Sequence, residues 1–196
     1  MDDMPDGGRV EAVAGFVAVA VAAVGIGGGA LASPAFSVAG NALSDLGQPG
    51  NPAATPLTTL FFDGGLVVSG VIGLAFTAGY WQAGRNWPER VATLPLAIAL
   101  AGMAGVGLFP AGQALHAPAA LTLYLGSMVA MALDAVGVAV AGLRTRAAAT
   151  LGLVFVHVAG WWWWAGGGPV LRPGLAIPEL LGAAVFAAWV VWTAAG

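Results

Sequence analysis

The chain of 196 residues contains no cysteine and no lysine, and only 8% of its residues are charged. Without cysteine it forms no disulfide, no thiolate metal site and no thiol nucleophile. Soluble domains carry roughly 25% charged residues, so the composition argues against a soluble domain. The net charge of −3 rests on few charges. It is too weak to indicate a polybasic lipid-binding surface or a nucleic-acid partner, and we expect no nucleic acid.

Long apolar runs take up most of the chain. They lie near Val10–Leu31, Thr58–Tyr80, Val91–Phe109, Pro118–Leu143, Ala147–Trp164 and Ala176–Thr193. Each run is long enough to cross a hydrocarbon core, which takes about 20 apolar residues at 1.5 Å per residue. We predict an all-α polytopic membrane protein, a six-transmembrane-helix bundle that residues 1–196 form as one domain.

The start of the chain also has to be compared with a signal peptide. The Ala-Leu-Ala segment at 30–32 resembles a small-residue cleavage site after an apolar run. However, Asp2, Asp3 and Asp6 outnumber Arg9 before the run, whereas a signal peptide begins with positive charge. The run is also longer than the roughly 7–15 residues of a signal-peptide core. We therefore predict an uncleaved first helix.

The arginines predict the orientation. Five of them fall on one side of the membrane if all six runs span it: Arg9, Arg85, Arg90, Arg144 and Arg146. Only Arg172 falls on the other side. Because cytoplasmic loops carry an excess of positive charge, we predict cytoplasmic N and C termini and a location in the cell (plasma) membrane.

The tryptophans mark the predicted membrane interfaces. Trp81 and Trp87 lie at the inner end of the second helix, and Trp189 and Trp192 lie near the inner end of the sixth. Such aromatic belts are usual at both interfaces. Four consecutive tryptophans end the fifth helix and point all round it, so some face lipid and some face the bundle. We predict lipid contact for Trp161, Trp162, Trp163 and Trp164.

Polar side chains gather at the predicted outer ends of the helices. The longest connection follows the first helix and contains a short helix-like segment from Asn41 to Leu46, which Asn41 can cap. The candidates for a catalytic site at this face are Ser44, Asp45, Asp63, His116 and Glu179. A charged group inside a membrane segment costs roughly 2.5–3.5 kcal/mol on insertion scales. Asp63 therefore requires water or a partner, and His116 and Arg172 are the plausible cations.

Each candidate also has a structural explanation. Asp45 fits a capping role, His116 fits the headgroup region, and Glu179 complements the dipole of a first helical turn. Asp63 is the hardest to explain in this way, because it is the only acid in the outer half of a span. The set has no histidine-rich metal signature, so we expect neither a metal nor a cofactor.

Two further polar residues lie deeper in the predicted membrane. His157 lies about 15 Å along the fifth helix, where a ligand role, a proton relay and a satisfied hydrogen bond all remain open. Asp134 lies toward the cytoplasmic end of the fourth helix, and we expect a structural ion pair with Arg144 or Arg146.

Three segments carry a resemblance to a known family. They are Asn41-Ala-Leu-Ser-Asp-Leu-Gly47, then Phe61-Phe-Asp-Gly-Gly-Leu66 with Gly70, then Gly105-Val-Gly-Leu-Phe-Pro110 with His116. Together they resemble the domain-of-unknown-function family 998 of bacterial and archaeal membrane proteins, with Asp63 where that family often has Asn. The resemblance implies six membrane helices and no settled activity. In layout the chain is also similar to the Frag1-like group of lipid-remodelling membrane proteins.

Three functions fit these observations. An intramembrane enzyme acting on a lipid would use His116 as general base, oriented by Asp45 or Asp63, with Ser44 as nucleophile or Glu179 as a second acid. A non-enzymatic subunit would bind a lipid, a pigment or a partner helix. A small transporter is the third, although the halves show no clear repeat. The expected partners are membrane lipids, with a membrane-protein partner or a homo-oligomer as further possibilities.

Overall fold

The computed structural model describes residues 6–167 and 174–196. Long helices make up most of this part of the chain: α1 Asp6–Ala32, α2 Pro56–Ala83, α3 Trp87–Leu108, α4 His116–Val140, α5 Arg144–Gly166 and α6 Ala176–Ala194. Each is long and apolar enough to cross a membrane. The predicted all-α, six-helix membrane bundle is confirmed.

Helices α2 and α3 begin earlier than the apolar runs suggest, because their polar first turns are capped. The Thr55 side chain accepts a hydrogen bond from the Thr58 amide and starts α2 at Pro56. The Asn86 side chain accepts from the Glu89 amide at 3.2 Å and starts α3 four residues before the predicted Val91. These caps satisfy amides that have no partner inside the helix.

The helices form a ring in chain order. Each packs against the next, and α1 closes the ring against α6. Glycine permits the closest approaches: a methyl group on Gly65 would lie 2.8 Å from the Cα atom of Gly25 between α1 and α2, and one on Gly102 would lie 2.7 Å from the Leu123 amide between α3 and α4. Small residues at such crossings let membrane helices pack closely.

The two ends of the ring differ. The arginine end carries the connections at 84–86 and 141–143. The long-loop end carries those at 33–55 and 109–115, together with the last turn of α5 and the first turn of α6. The long loop, residues 33–55, folds over its end of the ring and contains a 3₁₀ helix, Leu43–Leu46. Leu46 is fully buried there, and the Ala176 amide donates to the Asn41 carbonyl at 2.9 Å. Which end faces the cytoplasm stays a prediction.

The outside of the ring is apolar. Val24 on α1 is 62% exposed and Phe155 on α5 is 72% exposed. In a membrane-spanning bundle these side chains face lipid, whose tails are as apolar as they are. The protein is therefore in contact with membrane lipids along these helices.

Candidate functional site

The ring encloses a central cavity with a volume of about 80 Å³. Helices α1, α2, α3, α4 and α6 line it, mostly with apolar side chains such as Ile26, Leu66 and Phe186. On α6 the lining runs from Glu179 to Val190, which is about 16 Å along the helix axis. The apolar part of such a lining favours apolar ligands.

Three polar residues line the cavity at the long-loop end: Ser44, His116 and Glu179. Glu179 lies in the first turn of α6 and is 7% exposed. Its Oε2 atom accepts a hydrogen bond of 2.6 Å from the Leu43 amide. That amide begins the 3₁₀ helix and has no partner inside it. Glu179 thus joins the long loop to α6, and its second oxygen has no hydrogen bond to any described residue.

His116 is the first residue of α4 and is half-buried. Its Nδ1 atom lies 2.8 Å from the Phe109 carbonyl oxygen. A carbonyl oxygen only accepts hydrogen bonds, so Nδ1 carries the proton. In the neutral ring Nε2 is then an acceptor, and no residue of the described ranges pairs with it. The ring is oriented by a backbone carbonyl, where the sequence suggested Asp45 or Asp63.

Ser44 lies in the 3₁₀ helix and is 8% exposed. Its hydroxyl has no hydrogen-bond partner within 6–167 and 174–196. Ser44, His116 and Glu179 therefore line one cavity, but no hydrogen bond joins any two of them. Their arrangement differs from a preformed triad, in which nucleophile, base and orienting acid are hydrogen-bonded in series.

Asp45 acts within the long loop and does not line the cavity. Its Oδ2 atom accepts from the Asn41 side-chain amide at 2.8 Å and from the Ala42 backbone amide at 3.1 Å. The predicted cap by Asn41 was wrong: the N-cap residue is Ala42, and the Asn41 side chain donates to the Asp45 carboxylate instead of accepting from a helix amide. Both bonds stabilise the turn that carries Ser44.

Asp63 lies in a π-helical segment of α2, Leu60–Gly64, and is 7% exposed. Its carboxylate lies directly against Gly47 at the end of the 3₁₀ helix, where a methyl group would collide with it. Among the described residues it has neither a hydrogen bond nor an ion pair, so the expected pairing with His116 is absent. Arg172, the other predicted partner, lies outside the described residues.

The four tryptophans of α5 divide between two environments. Trp162 and Trp163 are 80% and 59% exposed. The Trp161 ring packs 5.0 Å from the ring of Tyr124, and the Trp164 ring lies 6.3 Å from that of Trp161. Tyr124 in turn lines the cavity. The inward tryptophans therefore support the cavity wall, and the outward pair faces lipid.

His157 lies behind the same wall. It is 1% exposed, and its ring packs edge-on against Tyr124 at 5.9 Å. Neither ring nitrogen has a hydrogen-bond partner in the described part of the chain. The satisfied hydrogen bond that the sequence left open for His157 is therefore absent among the described residues.

A second polar cluster lies at the arginine end. Asp134, 2% exposed, accepts hydrogen bonds from the Tyr80 hydroxyl at 2.8 Å and the Trp189 indole at 3.0 Å. The expected ion pair was wrong: Asp134 pairs with neither Arg144 nor Arg146, because two buried aromatic donors hold its carboxylate. Trp189 is likewise buried, at 1% exposed, and does not belong to the interfacial belt.

The pocket beside Asp134 is lined by fewer residues than the central cavity, but it is larger in volume and more polar. It has a volume of about 240 Å³ and is lined by Tyr80, Arg85, Glu89 and Arg146, among others. Arg85 and Glu89 form a salt bridge of 2.7 Å. The hydrogen bonds that Arg85 donates to the Glu89 carboxylate raise the pKa of Arg85 and keep its guanidinium charged. The Arg146 guanidinium lies over the Trp192 ring at 5.8 Å.

Fold and site together define a multi-pass membrane protein with a lipid-facing exterior and an apolar central cavity that is polar at one end. The chain belongs to the family described as protein of unknown function DUF998, whose model matches residues 16–196. The resemblance found in the three sequence segments is confirmed. No curated protein and no solved structure matches the chain. Among the described residues, no group of three or more potential metal ligands comes together.

Proposed function

We propose that the protein binds an amphipathic lipid in its central cavity. The apolar chain lies between the helices, and the polar group lies against Ser44, His116 and Glu179. The proposal keeps the predicted outward-facing site in the cell membrane. It reduces the set of site residues to three, because Asp45 and Asp63 do not line the cavity.

The distribution of unpaired polar atoms carries this proposal. Three other polar residues line the cavity, and the hydroxyl of each is bonded to a backbone carbonyl: Ser69 to Ala18 at 2.8 Å, Ser127 to Tyr124 at 2.9 Å and Tyr124 to Glu179 at 3.4 Å. Unpaired polar atoms therefore remain only at the long-loop end of the described lining. An apolar channel that ends in unpaired polar groups is complementary to a molecule with one apolar and one polar part.

The energetics favour the same occupant. Apolar surface removed from water gains about 25 cal/mol per Å², and a polar head group supplies partners for groups that are costly to bury unpaired. The inward tryptophans behind Tyr124 stiffen the wall of the site. Trp162 and Trp163 contact the surrounding membrane lipid on the outside of the ring, and not a lipid in the cavity.

The test is the lipid content of the purified protein, measured by mass spectrometry. It compares wild type with two variants in which one alanine of α6 is replaced by phenylalanine. Ala183 lines the cavity, whereas its neighbour Ala184 is exposed on the outside of α6. We expect Ala183→Phe to lose a lipid that wild type and Ala184→Phe both retain. Equal lipid content in all three proteins would contradict the proposal.

A second candidate is catalysis on the bound lipid. The observation that favours it is the fixed ring of His116: with Nδ1 bonded to the Phe109 carbonyl, Nε2 is left as an acceptor in a cavity that Ser44 also lines. Such an acceptor acts as a general base. Comparison of the lipids of cells that express wild type, His116→Ala or no protein tests it. If the protein is an enzyme, the lipids of cells with His116→Ala should match those of cells without the protein. Identical lipids in all three cultures would contradict catalysis.

The transporter alternative depends on the arginine end. Phe76 lines the central cavity, Tyr80 lines the polar pocket near Asp134, and their ring centroids are 6.2 Å apart. Transport of the bound lipid would require the rings of Phe76 and Tyr80, which lie between the cavity and the polar pocket, to move apart. Lipid that equilibrates between leaflets in vesicles with wild type, and not with empty vesicles, would favour it over binding alone.

A further inference from the structure

The polar end of the cavity also selects the chemistry of the head group. We infer that the bound lipid carries an O–H or N–H donor, a hydroxyl or an amine, and that lipids ending in phosphate or carboxylate are excluded. The inference rests on the proposed lipid-binding function and concerns the same site.

The unpaired atoms at this end are mainly acceptors. One Glu179 oxygen is occupied by the Leu43 amide, which leaves the other to accept from a ligand. His116 carries its proton on Nδ1 toward Phe109, which leaves Nε2 to accept as well. The Ser44 hydroxyl both donates and accepts, so it adapts to either partner. A head group that donates to Glu179 and His116 satisfies both.

Charge points the same way. The described residues that line the cavity include one acid, Glu179, and no arginine, and the chain contains no lysine. The four arginines whose side chains the structure describes all lie at the arginine end: Arg85, Arg90, Arg144 and Arg146. A phosphate or carboxylate would therefore face the Glu179 carboxylate without a counter-ion on the described lining. Like charges in a site of low polarity are strongly unfavourable.

The enclosure strengthens this selection. Leu43 and Glu179 are 4% and 7% exposed, so bulk water screens the head group poorly. Electrostatic interactions are several-fold stronger in such surroundings than in water. The same carboxylate that excludes an anion accepts a hydrogen bond from a hydroxyl, or pairs with an ammonium group.

Four lipids with one chain and different head groups test the inference: hexadecanol, hexadecylamine, hexadecanoic acid and hexadecyl phosphate. Delipidated full-length protein is incubated with each, and retention is measured by native mass spectrometry. We expect retention of the alcohol or the amine to exceed that of the acid and the phosphate by roughly tenfold or more. The alcohol and amine arms distinguish an uncharged donor from a cationic one.

The outcomes separate the two proposals. Equal retention of all four lipids, or preference for an anionic one, would overturn the head-group inference and leave lipid binding in place. If the folded protein retains none of the four lipids, both the lipid-binding proposal and the head-group inference are overturned. Glu179→Gln keeps an acceptor for the Leu43 amide and removes the charge, so we expect it to admit the anionic lipids, while Ala184→Phe keeps the wild-type order. The wild-type comparison stands by itself if Glu179→Gln does not fold.

Discussion

The Glu179 carboxylate and the Leu43 amide form a buried hydrogen bond of 2.6 Å between residues 136 positions apart. This bond joins the first turn of α6 to the first amide of the 3₁₀ helix in the long loop. It also places one carboxylate oxygen beside the cavity. One residue therefore closes the long loop over the ring and contributes to the polar end of the site.

Replacement of Glu179 tests the first of these roles. Glu179→Ala leaves the Leu43 amide buried without a partner, and we expect the free energy of unfolding to fall by about 1–3 kcal/mol. Glu179→Gln keeps an acceptor oxygen and should lose less. Denaturant unfolding in detergent measures both variants, and an equal loss in the two would show that the amide does not need this acceptor.

The Asp134 cluster makes a second prediction. Tyr80→Phe removes the 2.8 Å hydrogen bond to the buried carboxylate, and bonds to charged groups are worth about 1.5–3 kcal/mol. Tyr124→Phe is the matched control, because its hydroxyl makes a longer bond of 3.4 Å to a backbone carbonyl. We expect Tyr80→Phe to lower the unfolding free energy more than Tyr124→Phe does. A loss in Tyr80→Phe that persists unchanged in an Asp134→Leu background, which offers the Tyr80 hydroxyl no acceptor at position 134, would argue against a direct Tyr80–Asp134 interaction.

The contact between Gly47 and Asp63 predicts a rescue. A methyl group on Gly47 collides with the Asp63 carboxylate, and such overpacking typically costs about 1–3 kcal/mol. We expect Gly47→Ala to destabilise the protein and Asp63→Ala to remove most of that penalty in the double variant. Gly27→Ala is the control, since a methyl group there meets nothing within 4 Å. If the double variant is as unstable as the sum of the single ones, the two residues are not in contact in the folded protein.

The orientation predicts a labelling pattern. The chain has no cysteine, so one introduced cysteine is the only thiol. Ala114 is exposed at the long-loop end, and Thr145 is exposed at the arginine end. Positive-inside orientation predicts that an impermeant maleimide labels Ala114→Cys in intact cells and labels Thr145→Cys only after permeabilisation. The reverse pattern would show that the site faces the cytoplasm.

The sequence predicts the helices well and the polar contacts only in part. Because the spans alternate in direction, the C-terminal ends of α1 and α3 and the N-terminal end of α6 lie at one face. The presence of Ser44, His116 and Glu179 at that face therefore follows from topology alone. The separation of Asp45 and Asp63 from the cavity does not follow, because local turns decide where short side chains point. Asp45 bonds within its own turn, and Asp63 points toward Gly47.

The sequence did not predict the hydrogen-bond partners of His116 and Asp134. His116 bonds to the Phe109 carbonyl, and every residue of the chain carries a carbonyl that a pattern cannot single out. Tyr80 and Trp189 lie at matching depth to Asp134, which is a signal that a comparison of helix depths can detect. The position of Trp189 near the predicted interface suggested an aromatic belt instead, since aromatic residues are common there.

The most direct test of the lipid-binding proposal is photocrosslinking with a single-chain alcohol that carries a diazirine at the far end of the chain. With the hydroxyl near Glu179, the account predicts labelled peptides that contain Phe76 or Phe186, deep in the cavity. It also predicts loss of this label in Ala183→Phe and its retention in Ala184→Phe. Label confined to exposed residues such as Val24 and Phe155 would contradict the account, because it would place the lipid only on the outside of the ring.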